Sequence, residues 1–346
     1  MAVGLLVGCP LDTSGLGAGG DGADSGGRAT TSFGSGDLSA VGTTTGSTGG
    51  SVPPEGSSTG DPSSSEETGE PEAWPEGPFG DPVVVSVINS GQTDDDPTLT
   101  ADRLEIYFAS NREGDEDLYV ATRRSTNDDW SPAVPVPVVN EEGVRDNTPG
   151  ISGDGLTLLF ASERQDSLGD QDLYVSTRAR RGQPWSMPVH VSSLSSDRRD
   201  IAPGLTVGRE AVYWCSFGPG MGSSGDLDVW WAEVLRDGVT FQFGPAQPVP
   251  GLLNTNDDEC ASWLSPDRRT IVFDRSSGSA GFDLWMASRD EPDQGFGEPV
   301  PLDAIDREGI NLDGSNDTDP WISPDGRVLY FTSSRGGSDD IYRAVR

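Results

Sequence analysis

A single phrase is written five times along this 346-residue chain, and that repetition restricts how it can fold more than any other feature. The phrase opens as Asp-x-x-Pro-x-Leu-(Ser/Thr)-x-Asp-Gly, continues as a Leu-Tyr-Phe-Ala-Ser run and closes as Asp-Leu-Tyr-Val-Ala-x-Arg. The closing Asp falls at Asp117, Asp172, Asp228, Asp283 and Asp340, in steps of 55, 56, 55 and 57 residues. A unit this short cannot bury its apolar face alone, so neighbouring units must stack. A fixed period of about 40–55 residues, built from several short strands, describes the blades of a β-propeller. The spacing predicts an all-β fold of five blades.

Each unit reads as four strands. The first is short and apolar, as at Thr98-Leu99 or Trp321-Ile322, and is followed by a tight turn such as Asp154-Gly155 or Asp325-Gly326, whose residues tolerate positive φ. The second strand is a continuous apolar run (Ile106-Tyr107-Phe108, Leu329-Tyr330-Phe331) suited to burial on both faces between blades. The third starts at the repeated Asp. The fourth follows an aromatic-x-x-Pro signal, as at Trp130–Pro132, where proline is tolerated because an outermost strand has one unpaired edge. A further copy of that signal, Phe79-Gly80-Asp81-Pro82-Val83, precedes the first complete unit, while the fifth unit stops after its third strand. The stray segment is therefore expected to close the ring as the outer strand of the last blade.

The phrases Asp319-Pro320-Trp321-Ile322-Ser323-Pro324-Asp325-Gly326 and Ser333-Ser334-Arg335-Gly336-Gly337 resemble the WD40-like repeat of TolB-type bacterial β-propellers. The resemblance covers residues 79–346. It implies a five-bladed propeller that presents channel rims and blade faces to peptides or envelope proteins. The third unit departs most, with Thr206-Val207-Gly208-Arg209 at its turn and no Arg after its second strand.

Composition changes abruptly before the repeats. Residues 1–78 hold 11 Asp and Glu, one Arg and long runs of Gly, Ser, Thr and Pro, a mixture that cannot bury enough apolar surface to offset backbone ordering. Residues 10–78 are read as a disordered acidic tether, with a mean reach of about 45 Å. Leu6-Val7-Gly8-Cys9 matches a bacterial lipobox, so residues 1–9 are read as a truncated signal segment and Cys9 as the lipidated residue. This places the protein outside the cytoplasm, anchored through lipid alone. Pro10, rather than Asp, follows that cysteine, which favours the outer membrane.

The net charge of −34 and the absence of any Lys exclude nucleic acid as a partner, along with Schiff-base chemistry and any P-loop. His190 is the sole histidine, which removes most zinc sites and the Ser-His-Asp triad. It is read as a packed or surface side chain.

Three polar columns recur. The acids Asp94, Asp146, Asp200, Glu259 and Asp317 precede the repeat Pro by three residues, with Ser262 in place of Pro in the fourth unit; Arg112, Arg164, Arg275 and Arg335 follow the second strand; the closing Asp opens the third. A residue found once per blade usually solves a problem each blade has, here the backbone groups at strand ends. The functional reading makes the five acids candidate channel-rim residues, attracting a cation or basic peptide. Asp313–Asp317 and Asp115–Asp117 have oxygen-ligand character compatible with Ca²⁺ but lack EF-hand spacing, and no cofactor is otherwise expected. Cys215 and Cys260 fall on one rim of adjacent blades, placed either for a disulfide or as free thiols. The aromatic rows are read as core between blades, whereas Trp74, Met221 and Trp231 break the repeat, as does the 218–225 insertion.

These features predict a monomeric, lipid-anchored propeller acting as a non-enzymatic binding or scaffold module for an envelope protein or peptide. The alternative is a glycan- or peptide-acting enzyme with carboxylates in the channel. Against the enzyme stands the regularity of the conspicuous acids, since catalytic acids should break the repeat.

Overall fold

The computed structural model describes residues 77–218, 227–237, 240–276, 281–302 and 309–346. The tether, Cys9, Trp74 and Met221 lie outside them. Five small antiparallel sheets form the described domain, one per repeat unit. Strand β1 (Val83–Val84) is followed by blade one: β2 (Asp94–Leu99), β3 (Glu105–Ser110), β4 (Asp117–Thr122) and β5 (Val134–Pro135). Blade two is β6 (Asp146–Ile151), β7 (Thr157–Ser162), β8 (Asp172–Thr177) and β9 (Val189–His190). Blade three comprises β10 (Asp200–Leu205), β11 (Ala211–Ser216), β12 (Asp228–Asp237), β13 (Thr240–Phe243) and β14 (Gln247–Pro248). Blade four is β15 (Glu259–Leu264), β16 (Thr270–Ser276), β17 (Phe282–Ser288) and β18 (Val300–Pro301). The last blade contains β19 (Asp317–Ile322), β20 (Val328–Ser333) and β21 (Asp340–Val345).

Strand β1 completes that last blade. It pairs antiparallel with β21, Val83 opposite Arg343 and Val84 opposite Tyr342, and the N–H groups of Gly80 and Val85 extend the ladder to the carbonyls of Val345 and Ile341, each at 2.9 Å. The ring is thus joined by backbone hydrogen bonds between segments more than 250 residues apart. Stacked blades bury the second strands, β16 showing partial exposure only at its two ends. Phe108, Phe160, Phe273 and Phe331 are all at 0% exposure, and apolar clusters run from each blade into the next.

Two repeated devices were only partly visible in the sequence. Asn89, Asn140, Asn254 and Asn311 each clamp a third strand with a pair of bonds; Asn140 accepts from Leu118 N–H at 3.1 Å and donates to its carbonyl at 3.0 Å. The Arg of the closing phrase then stacks on the aromatic of the aromatic-x-x-Pro signal: Arg123 over Trp130, Arg178 over Trp185 and Arg289 over Phe296, at 4.1–4.4 Å from ring centroids. Such stacks fasten the outer edge of a blade, which has few ladder bonds.

The innermost strands are longer than the two or three residues read from sequence, because they begin at the acid column rather than after the Pro. Each contains a bulge between the acid and the apolar pair, as between Asp95 and Thr98 or between Thr318 and Trp321. At the bulge Asp96, Thr148, Ala202 and Asp319 adopt φ of 54°, 46°, 51° and 54°. Left-handed backbone at a residue other than Gly costs roughly 1–2 kcal/mol, and such strain collects at functional positions. In every case the bulged residue borders the central channel.

Candidate functional site: the acidic channel

The acid column that sequence placed on the channel rim turns inward instead. Asp94, Asp146, Asp200, Glu259 and Asp317 are all at 0% exposure, inside the blades rather than around an open mouth. Four are neutralised by the arginine column. Arg164 reaches Asp146 at 3.1 Å, Arg275 reaches Glu259 at 2.8 Å, Arg335 reaches Asp317 at 2.7 Å, and Arg112 pairs with Asp94. Each guanidinium also lies over the rings of its own blade, Arg112 over Tyr119 at 4.6 Å and Arg275 over Trp285 at 4.7 Å, and donates to a carbonyl of the preceding connection. In the third blade Gly218 stands where blades one, two and five have Arg112, Arg164 and Arg335, and Asp200 is held by Ser196 through N–H and hydroxyl at 2.7 and 2.8 Å. The columns build blades. They do not present charge to a ligand.

Other predicted positions fall as follows. Cys215 in β11 and Cys260 in β15 are joined in a disulfide that ties blade three to blade four, with Cα atoms 5.2 Å apart. His190 packs on Tyr174, ring centroids 5.1 Å apart, and its Nε2 is 2.8 Å from the fully buried Asp172 carboxylate. Trp231 is also packed, stacked on Tyr213 between blades three and four.

Half-buried carboxyls gather instead at the bulges. Asp96 and Asp319, on neighbouring blades one and five, border the same void, and Asp274 in β16 accepts the Asp319 N–H at 3.3 Å. The Asp96 N–H is held by the Thr332 hydroxyl at 3.1 Å, which fixes the aim of the side chain. Burial pushes the Asp96 carboxyl well above the usual carboxylate range, and Asp319, Asp95 and Glu116 push it further. Burial raises Asp319 as well, with hydrogen bonds to its charged form, from Thr318 and Thr332 among others, working in the opposite direction. Asp274 is raised by burial and by Asp319, and Asp339 by burial.

Asp95 adds a further charge beside them. One of its oxygens is buried without a hydrogen-bond partner, and its carboxyl is raised by burial, then by Glu116, Asp319 and Asp339. Oxygens of Asp95, Asp96 and Glu116 lie within 4.8 Å of one another, a spacing a hard divalent cation can use. Of the two stretches that sequence marked for Ca²⁺ chemistry, only Glu116 belongs to this trio. The cations lie beside the acids. Arg145 pairs with Glu116, and Asn147 and Gln171 bridge across to Arg199, whose Nε donates to Gln171 at 2.7 Å.

Sequence reasoning missed these acids because it compared units by what they share. The informative residues are the differences: Asp96 and Asp319 where units two and three have Thr148 and Ala202, and Asp274 where others have Ala109, Ala161, Cys215 and Thr332.

Among solved structures the fold is similar to TolB from Acinetobacter baumannii, at 14% identity and a TM-score of 0.48, the match covering 75% of this chain and 55% of TolB. The chain therefore spans about half the length of that protein. It is also similar to an α-L-arabinofuranosidase from Podospora anserina solved with cellotriose, at 9% identity and a TM-score of 0.50, covering 75% of this chain and 94% of that one. A thermostable family-43 glycoside hydrolase matches at 8% identity and a TM-score of 0.48, over 76% of this chain and 91% of the other. No family model matches the sequence, and no curated protein does. At such identities the likeness is one of fold, and this arrangement of blades carries unrelated chemistries.

Proposed function

We propose that this chain is a lipid-anchored, extracytoplasmic binding propeller without catalytic activity, whose acidic channel mouth takes a cationic group of an envelope protein or peptide. One observation carries the reading: the carboxyls of Asp95, Asp96, Glu116, Asp274 and Asp319 gather beside the channel with only the guanidiniums of Arg145 and Arg199 near them among the described residues, so acids outnumber bases and an entering cation would favour their ionised forms. Low-dielectric walls focus such a field and favour a cation entering it. The lipobox at Cys9 and the tether support the location. Binding of an envelope extract to the domain from residue 76 onward, with and without Asp96→Asn and Asp319→Asn, tests the site. Proteins retained by the native domain at low salt should be lost from the double variant; equal retention on both would remove the channel acids as the contact.

A second reading is carboxyl-based hydrolysis, favoured by Asp274, an acid that breaks the repeat and is raised by burial beside another carboxyl. Glycosidase carboxyls stand about 5–9.5 Å apart. Such a pair would draw on Asp274, whose carboxylate accepts the Asp319 N–H at 3.3 Å. Release of product from a polysaccharide panel, abolished by Asp274→Asn, would replace the binding reading.

A further inference from the structure

The seam where blade five meets blade one breaks the repeat in charge. Three residues after the closing Asp stands Arg343, at the position that Val120, Val175, Trp231 and Met286 hold in the other blades. Those apolar side chains pack against the clusters between blades, whereas the Arg343 Nε is buried without a hydrogen-bond partner. Arg123 of blade one borders the same groove. Burial holds its guanidinium below the usual arginine range; Tyr330 opposes that shift, and Arg343 and Arg103 add to it. Among the described residues neither Arg123 nor Arg343 forms an ion pair.

The seam between blades one and two shows what such an arginine accepts. There Glu105 pairs with Arg178, the counterpart of Arg123, and takes a hydrogen bond from the Tyr107 hydroxyl at 3.1 Å. Arg178 lies over Trp185 as Arg123 lies over Trp130, and Tyr330 stands in the place of Tyr107. The acid is what differs, since Val328 opens β20 where Glu105 opens β3. The closing seam thus keeps the groups that receive a carboxylate and adds a second guanidinium. It also has room: Arg123, Tyr330 and Arg343 line a groove of about 520 Å³, within the usual size of a small-molecule site. Val83, opposite Arg343 in the β1–β21 ladder, gives it an exposed apolar wall together with Val87 and Val345. Asp81, Asp128 and Asp129, all exposed, line it too and repel a second negative charge.

We propose that this groove binds a monocarboxylate on a short apolar body, with the carboxylate received by Arg123, Arg343 and the Tyr330 hydroxyl and the body lying against Val83, Val87 and Val345. The site is separate from the channel and stands whether or not the channel acids take a cation. A guanidinium suits this ligand because its planar fork offers paired donors to a carboxylate. A free aliphatic acid meets the description, and so does the carboxyl end of an apolar peptide.

Titration calorimetry of the full chain at low salt with hexanoate, adipate and n-hexanol tests this. Hexanoate should bind, hexanol should fail to compete with it, and adipate should bind more weakly because its second carboxylate meets the three Asp side chains. Arg343→Val installs the residue of blades one and two, so the fold is retained, which the melting temperature checks. It should weaken hexanoate roughly tenfold or more, the usual effect of losing hydrogen bonds to a charged group. Val328→Glu, which supplies Arg123 with the acid of the neighbouring seam, should weaken hexanoate as well. Failure of hexanoate to bind, equal affinity for hexanol or adipate, or unaltered affinity in either variant overturns the proposal. Acetyl-Val-Leu with a free carboxyl end, and its carboxamide, then separate the sources. Binding at least as tight as hexanoate assigns a peptide end, and weaker binding assigns a free acid. Equal binding of the carboxamide overturns the carboxylate as the recognised group.

Discussion

The guanidinium of Arg346 lies 4.2 Å from the ring centroid of Phe79, so the aromatic that opens the ordered domain and the arginine that completes its third-strand phrase seal one blade together. In blades one, two and four the equivalent stack joins residues a few positions apart, as with Arg123 and Trp130. Here it spans the whole domain.

Phe79 is 4% exposed, and Phe79→Ala should cost about 3 kcal/mol in urea unfolding, the usual effect of truncating a buried Phe. Amide exchange at Ile341 and Val345 should speed up with it. Val83→Ala, at a side chain 66% exposed on the same strand, should change stability by less than about 0.5 kcal/mol. Equal effects would mean the closure depends on the ladder alone.

Arg335 satisfies Asp317 within blade five, and Asp317 is wholly buried. Arg335→Ala should therefore destabilise the domain by about 3–5 kcal/mol, because a charge is left stranded in the blade. Adding Asp317→Asn should recover part of the loss. Denaturant midpoints of the two variants check the order.

Burial raises the folded pKa of Asp200. Between the unfolded value of about 4 and that higher folded value, the native state holds a proton the unfolded chain has released, so this group makes stability fall as pH rises through the window and leaves it constant above. Asp200→Asn should flatten that fall without removing the slopes owed to other groups. Melting temperatures from pH 4 to 8 for both proteins provide the comparison; parallel curves would contradict the assignment.

The disulfide between Cys215 and Cys260 closes a segment of 45 residues and couples two neighbouring blades. Reduction should lower stability by about 2–4 kcal/mol, or roughly 2–4 °C in Tm for each kcal/mol in a domain of this size. Scanning calorimetry with and without reductant measures it.

The architecture was open to reading because propeller blades solve the same problem five times. Period, strand order, the Phe79–Val83 closure and the Arg-to-acid pairing all leave periodic marks. The channel acids leave none. Asp96 and Asp319 occupy positions that vary between units, and only the bulge reveals that these side chains meet: it inserts an extra residue into each inner strand and swings the left-handed one toward the axis. Alternation counted from Asp94 gives the opposite result, and sends the conserved-looking column into the channel when the fold has locked it inside the blades. The Asn89, Asn140, Asn254 and Asn311 clamps were written at regular spacing too, but a lone Asn beside a turn carries no sign of the strand it will grip.

That bulge also separates two duties. The blade is assembled by residues on either side of it, whereas the kinked residue itself contributes a single side chain to the pore and little to the stacking. Replacing Thr148 or Ala202 with another small residue would re-tune what the pore accepts, one spoke of the wheel at a time, while the hub and rim keep their dimensions.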